Sequence, residues 1–244
     1  MCTNLVSIIP SVKLLPSNQG FGAAINVPCV HCEECLQAKR REYEFRFAYE
    51  FDRLHKIGGR AIMLLLSFNQ QHVAVVRPSD YGYYDTFNKL PPFFRTFDND
   101  YLATFKNRLR KAAWKRWGKA CYRFFYAPEF GENSYNNPHY HVIYFLAPHV
   151  NENEFYDMVR SIWHESMDCG FVFPNYKEHR SNDGTVQRFY YKVKNGVMMQ
   201  QPILVRNLGG AAMYCAKYVT KQFLLAGCAD FIDWYHIVTG KQIT

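Results

Sequence analysis

An α+β fold is predicted for this 244-residue chain, and three observations predict it. Two stretches, 99–118 and 151–167, carry apolar residues at helical spacing behind capping residues. Short apolar runs at 60–68, 121–130, 139–147 and 170–173 read as strands. The two kinds interleave as β-α-β-β-α-β, the plan of a split βαβ, or ferredoxin-like, central antiparallel sheet.

Taken in order, residues 1–28 show no clear periodicity and read as an extended arm. From Cys32 to about His55 the pattern is helical, with Leu36, Tyr43, Phe47 and Phe51 at steps of four or seven and charges between them. Gly58-Gly59 ends this helix. "RAIMLLLSF" (60–68) is apolar enough for a central strand. Residues 69–100 hold Pro78, Pro91, Pro92 and four aspartates, and read as a long inserted loop. "NDYLATFKNRLRKAAWKRWG" opens on an Asn/Asp cap, and Leu102, Phe105, Leu109 and Ala113 form its apolar stripe. "CYRFFYAPEF" and "HYHVIYFLA" read as a hairpin, and "NENEFYDMVRSIWHESM" as the second helix. "GFVF" (170–173) and "TVQRFYYKVK" (185–194) read as strands, and 207–227 as a closing helix opened by Gly209-Gly210. The division expected is an arm with a cysteine cluster and helix over 1–57, then the main domain over 58–244. Neither internal repeats nor low-complexity segments occur.

The formal charge is +8 and the aromatic content 17%, a balance that favours a polyanion. Nucleic acid comes first and an anionic membrane surface second. No run of about 18 apolar residues occurs, and the first twenty residues make a poor signal peptide. Reduced thiols are therefore expected for the eight cysteines, rather than a disulfide framework.

The candidate chemistry lies in three places. In "NPHYHVIYF", His139 and His141 are two apart on a strand and so point to one face, half of a metal site. Glu129, near the end of the preceding strand, is the candidate third ligand, with Glu132 competing. A two-histidine, one-carboxylate set suits Mn²⁺ and tolerates Mg²⁺ with waters. On the closing helix, Tyr214 and Tyr218 are four apart and share a face, with Lys217 and Lys221 on it or its flank. An ammonium beside a phenol lowers its pKa and can neutralise a phosphate. Cys29, Cys32 and Cys35 stand at knuckle-like spacing, short of the four ligands a closed zinc site takes, with His31 nearby. Iron–sulfur ligation and unmetallated thiols are the other readings; Ala38 stands where a fourth cluster cysteine is expected. Lys106, Arg108, Arg110, Lys111, Lys115 and Arg116 form a basic helix surface able to track phosphates, or simply a solvated face.

These motifs carry a resemblance. "PHYHVIYF" resembles the His-hydrophobic-His motif of HUH endonucleases, and "YCAKYVTK" the paired-tyrosine motif of their replication-initiator branch. "EFGENSYNNPHYH" and "VPCVHCEECLQAKRREYEFR" resemble stretches of the replication initiators of small single-stranded DNA phages, the gokushovirus-like Microviridae. The matched motifs run in order over roughly residues 26–223. The resemblance implies rolling-circle initiation: one strand of a phage origin is nicked, the 5′ end is held on tyrosine, and a later transfer recloses the circle. His139, His141 and Glu129 then hold Mg²⁺ or Mn²⁺, Tyr214 and Tyr218 are nucleophiles, and Lys217 and Lys221 flank them. Cys2 joins Cys29, Cys32 and Cys35 around structural Zn²⁺. The partners implied are single-stranded origin DNA and host replication machinery such as a helicase, in the bacterial cytoplasm and without a membrane. Val30 and His31 depart from the family's N-terminal pattern, and 69–100 is longer than the usual link. A non-catalytic single-stranded nucleic-acid-binding zinc protein is the alternative. A mobilisation relaxase is disfavoured, because no nucleophilic tyrosine stands near the N-terminus.

Overall fold

A computed structural model of the chain describes residues 5–8, 25–28, 32–81, 94–96, 99–130, 138–205 and 210. The N-terminal arm is not merely extended. Strands β1 (Leu5–Ile8) and β2 (Ile25–Pro28), two short apolar runs, pair antiparallel. Helix α1 (Glu33–Lys56) follows, with Glu33 and Glu34 at its positive end and Arg53, His55 and Lys56 at its negative end. It stops where Gly58 turns to φ +71°, and the Gly59 and Gly58 amides close back on the Leu54 and His55 carbonyls. A side chain at Gly59 would meet the Leu146 carbonyl at 2.5 Å, so this turn lies tight against the sheet.

Strand β3 (Arg60–Ser67) is the central strand expected. The stretch 69–100, read as a long inserted loop, carries a small antiparallel ribbon, β4 (Ala74–Val76) with β5 (Phe94–Thr96), and two single 3-10 turns. Helix α2 (Asn99–Trp117), β6 (Tyr122–Phe130), β7 (Pro138–Leu146) and α3 (Glu152–Arg160) take their expected places. Asn151 caps α3 by accepting from the Asn153 and Glu154 amides at 2.9 and 3.1 Å. The helix then widens into a π turn over Ser161–Ser166, which swings Trp163 into the core. The Trp163 indole donates to the Ser67 carbonyl at 2.9 Å.

With β8 (Val172–Phe173), the central sheet runs β6-β7-β3-β8, all antiparallel. That is the ferredoxin-like order predicted. Its fourth strand is shared, however. β8 pairs only with Leu65 and Leu66, while Ile203 and Val205 bond to Met63 and Ala61 further along the same edge. Past β8, three strands form a separate antiparallel meander, β9 (Asn175–Arg180), β10 (Val186–Lys194) and β11 (Val197–Gln200). Only β10 was foreseen, because β9 and β11 are exposed and lack apolar alternation. Of the closing segment 207–227, Gly210 alone is among the described residues, and its backbone is helical.

Strand alternation divides the core in two. Ile62, Leu64, Leu66, Tyr140, Val142 and Tyr144 face α2 and α3, meeting Phe105, Leu109, Phe155 and Trp163. Ala61, Ile143 and Phe145 face the other way and meet Phe47, Phe51 and Leu54 of α1. Each fully buried apolar side chain here contributes about 1.5–3 kcal/mol, so the sheet is held firmly from both sides.

Candidate metal centre

The register of β6 on β7 sets Glu129 directly opposite His139 and Ala127 opposite His141. All four side chains belong to the α1 side of the sheet. The small methyl of Ala127 leaves the diagonal open, so Glu129 reaches both rings. Its Oε2 lies 2.7 Å from His141 Nε2 and 3.2 Å from His139 Nε2. The two Nε2 atoms are themselves 3.2 Å apart. Glu129 and His141 are 8% and 6% exposed, so water screens this cluster little.

Three atoms able to offer lone pairs thus meet in one small space, and among the described residues this is the group able to hold a metal ion. Two imidazole nitrogens and one carboxylate oxygen form a donor set that would accept a divalent cation.

The tyrosines packed behind the sheet are unsuited to attack. Tyr126 and Tyr144 share a hydroxyl hydrogen bond of 2.9 Å, and burial pushes both phenols well above their ordinary range. Burial likewise raises Tyr122 and Tyr156. Such phenols stay protonated at any physiological pH.

The structure brings His139, His141 and Glu129 together but does not bring the basic residues of α2 to them. Through Phe105, Leu109 and Ala113, α2 packs on the opposite face of the sheet. There Arg108 donates to Ser166 at 3.1 Å, Arg110 to Asn107 at 2.9 Å, and Arg116 pairs with Glu154 at 2.9 Å. Lys106 is half-buried, and Lys111 and Lys115 are exposed. Cys32 is the N-cap residue of α1, and Cys35 lies buried in its first turn. Cys2, Cys29, His31, Glu132, Tyr214, Lys217, Tyr218 and Lys221 lie outside the described residues. Lys192 and Gln201 were missed by sequence reasoning, yet they line a cleft with His141. No local motif marks them, because the break in the fourth strand creates that cleft.

Among the described residues no helix is long and apolar enough to cross a membrane. A family model for ORF2-type replication-associated proteins matches residues 86–223, more than half of the chain. No curated protein matches the chain significantly.

Proposed function

The chain belongs to the ORF2-type replication-associated protein family, and from that premise we propose that it initiates rolling-circle replication as an HUH-type, origin-nicking strand transferase of a gokushovirus-like phage. The observation that carries this reading is the convergence of Glu129, His139 and His141 within 3.2 Å at one end of the sheet.

In this reading those three side chains hold Mg²⁺ or Mn²⁺, which when bound polarises the scissile phosphate. Tyr214 or Tyr218 attacks the phosphorus through its phenolic oxygen and gives up the phenolic proton. The bond from phosphorus to the 3′ oxygen breaks, and that oxygen takes up a proton and leaves as the 3′-hydroxyl. The 5′ phosphate stays on tyrosine. Lys217 and Lys221 offset the charge that builds on the non-bridging oxygens. The second tyrosine repeats the exchange on the next origin and recloses the circle.

The Val205 amide bonds to the Ala61 carbonyl, and Val205 packs on the α1 side of the sheet, the side of the metal cluster, which supports this assignment. We further assign Cys2, Cys29, Cys32 and Cys35 to structural Zn²⁺, single-stranded origin DNA and a host helicase as partners, and the bacterial cytoplasm as the place of action.

The test is a covalent adduct. A labelled single-stranded origin oligonucleotide with Mn²⁺ should yield a species retained on a denaturing gel, lost in a Tyr214→Phe/Tyr218→Phe double variant. A shift seen only on native gels would instead mark a non-catalytic binding protein.

A further inference from the structure

The break in the fourth strand leaves a cleft beside the metal cluster. Along the edge of β3, Met63 is bonded by Ile203 and Leu65 is paired with Phe173, so Leu64 faces the gap between two pieces of chain. The cleft there has a volume of about 250 Å³, and His141 forms part of its wall. Since His141 belongs to the cluster, a ligand in this cleft lies beside it.

Its lining is chemically divided. Met63, Leu65, Phe173 and Pro174 offer an apolar wall with one aromatic ring. Lys192 and Gln201 offer an ammonium and an amide, and among the described residues no carboxylate lines the cleft. The Lys192 side chain is exposed and, among the described residues, makes no ion pair. By contrast Arg188, on the same strand, is tied to Asp157 and Glu178. A flat apolar ring carrying an anion satisfies this arrangement, and the volume sits below the roughly 300–1,000 Å³ of a pocket for a whole ligand.

We propose that this cleft seats one nucleotide of single-stranded DNA next to the scissile phosphate, with its base against Phe173 and Pro174, its edge at Gln201 and its phosphate at Lys192. The proposal rests on the strand-nicking reading for the meaning of the site, but binding alone tests it. A base stacked on an aromatic ring is sequence-tolerant, so the cleft contributes affinity and registers the strand more than it reads a letter.

The probe is a labelled 20-nucleotide oligo(dT), and a second copy carries 5-iodouracil in place of thymine. With the full chain, irradiation should cross-link the second probe to the peptide containing Phe173. Anisotropy should show Lys192→Gln weakening oligo(dT) binding roughly ten-fold and lowering the salt slope by about 0.7, one phosphate contact on a single strand. Phe173→Leu, which keeps an apolar side chain, should lose the cross-link while circular dichroism stays unchanged. Cross-links confined to other peptides, or an unchanged salt slope in Lys192→Gln, overturn the proposal. Adduct formation with Mn²⁺ is scored separately. If adducts fail while these binding effects appear, the nicking reading falls and the nucleotide cleft stands.

Discussion

Replacing Glu129 by Gln keeps the shape of the metal cluster and removes its charge. In the wild type, Mn²⁺ at 100 times its Kd should stabilise the fold by about 2.7 kcal/mol. A chain of this length shifts its Tm by about 2–4 °C per kcal/mol, so the expected rise is roughly 5–11 °C. Among the described residues Glu129 is the carboxylate that lies within 3.2 Å of both imidazoles. Substituting a neutral amide oxygen should weaken the ion about 100-fold, at the upper end of what losing even an outer partner of a ligand does. At the same Mn²⁺ concentration the variant then gains only about 0.4 kcal/mol, or about 1 °C. Scanning calorimetry of both proteins, with and without Mn²⁺ and with EDTA as control, measures the difference. Equal shifts in the two proteins, or no shift in the wild type, would refute the assignment of this cluster to a divalent ion.

Four further outcomes follow from the packing. Gly170→Ala should detach β8 from β3 and lower the Tm, because a Cβ there would stand 2.1 Å from the Ser67 carbonyl oxygen; loss of amide protection at Ser67 and Phe171 reports it. Trp163→Ala should cost about 3–5 kcal/mol in urea unfolding, since the ring is fully buried and its N–H bonds Ser67. Arg188→Met should cost about 1–3 kcal/mol by the same assay, through its lost hydrogen bonds to Asp157 and Glu178. Alkaline pH should unfold the protein: burial raises Tyr126, Tyr144 and Tyr156 and pushes Tyr190 up to about 12. The folded state then holds protons that the unfolded chain loses near pH 10, so this stabilisation is complete below pH 10 and falls as pH rises through 12. Absorbance at 295 nm should show these phenols ionising only together with loss of the near-UV dichroism.

Legibility followed the range of the forces involved. Phe105, Leu109 and Ala113 announced their buried face by spacing alone, and all three are buried. His139 and His141 had to share a face for the same reason. Glu129 was identifiable because a hairpin places its strand beside theirs. The ribbon of β4 and β5, the pairing of β1 with β2, and the strands β9 and β11 were not foreseen, because short or exposed strands bury too little to pattern their residues. The π turn at Ser161–Ser166 was equally invisible, since the residue pattern of a helix does not record one extra residue in a turn.

By itself the sequence determined the strand and helix order of the central antiparallel sheet, because periods of two and of 3.6 are written into local spacing. It also determined that two imidazoles stand side by side. Tertiary structure alone decided that a carboxylate oxygen sits 2.7 Å from one of them, that the basic helix covers the far face of the sheet, and that a split fourth strand opens a cleft on the near one. Those facts depend on register and on which face each helix covers. Both are set by contacts between residues far apart along the chain, for which no single window of sequence carries the information.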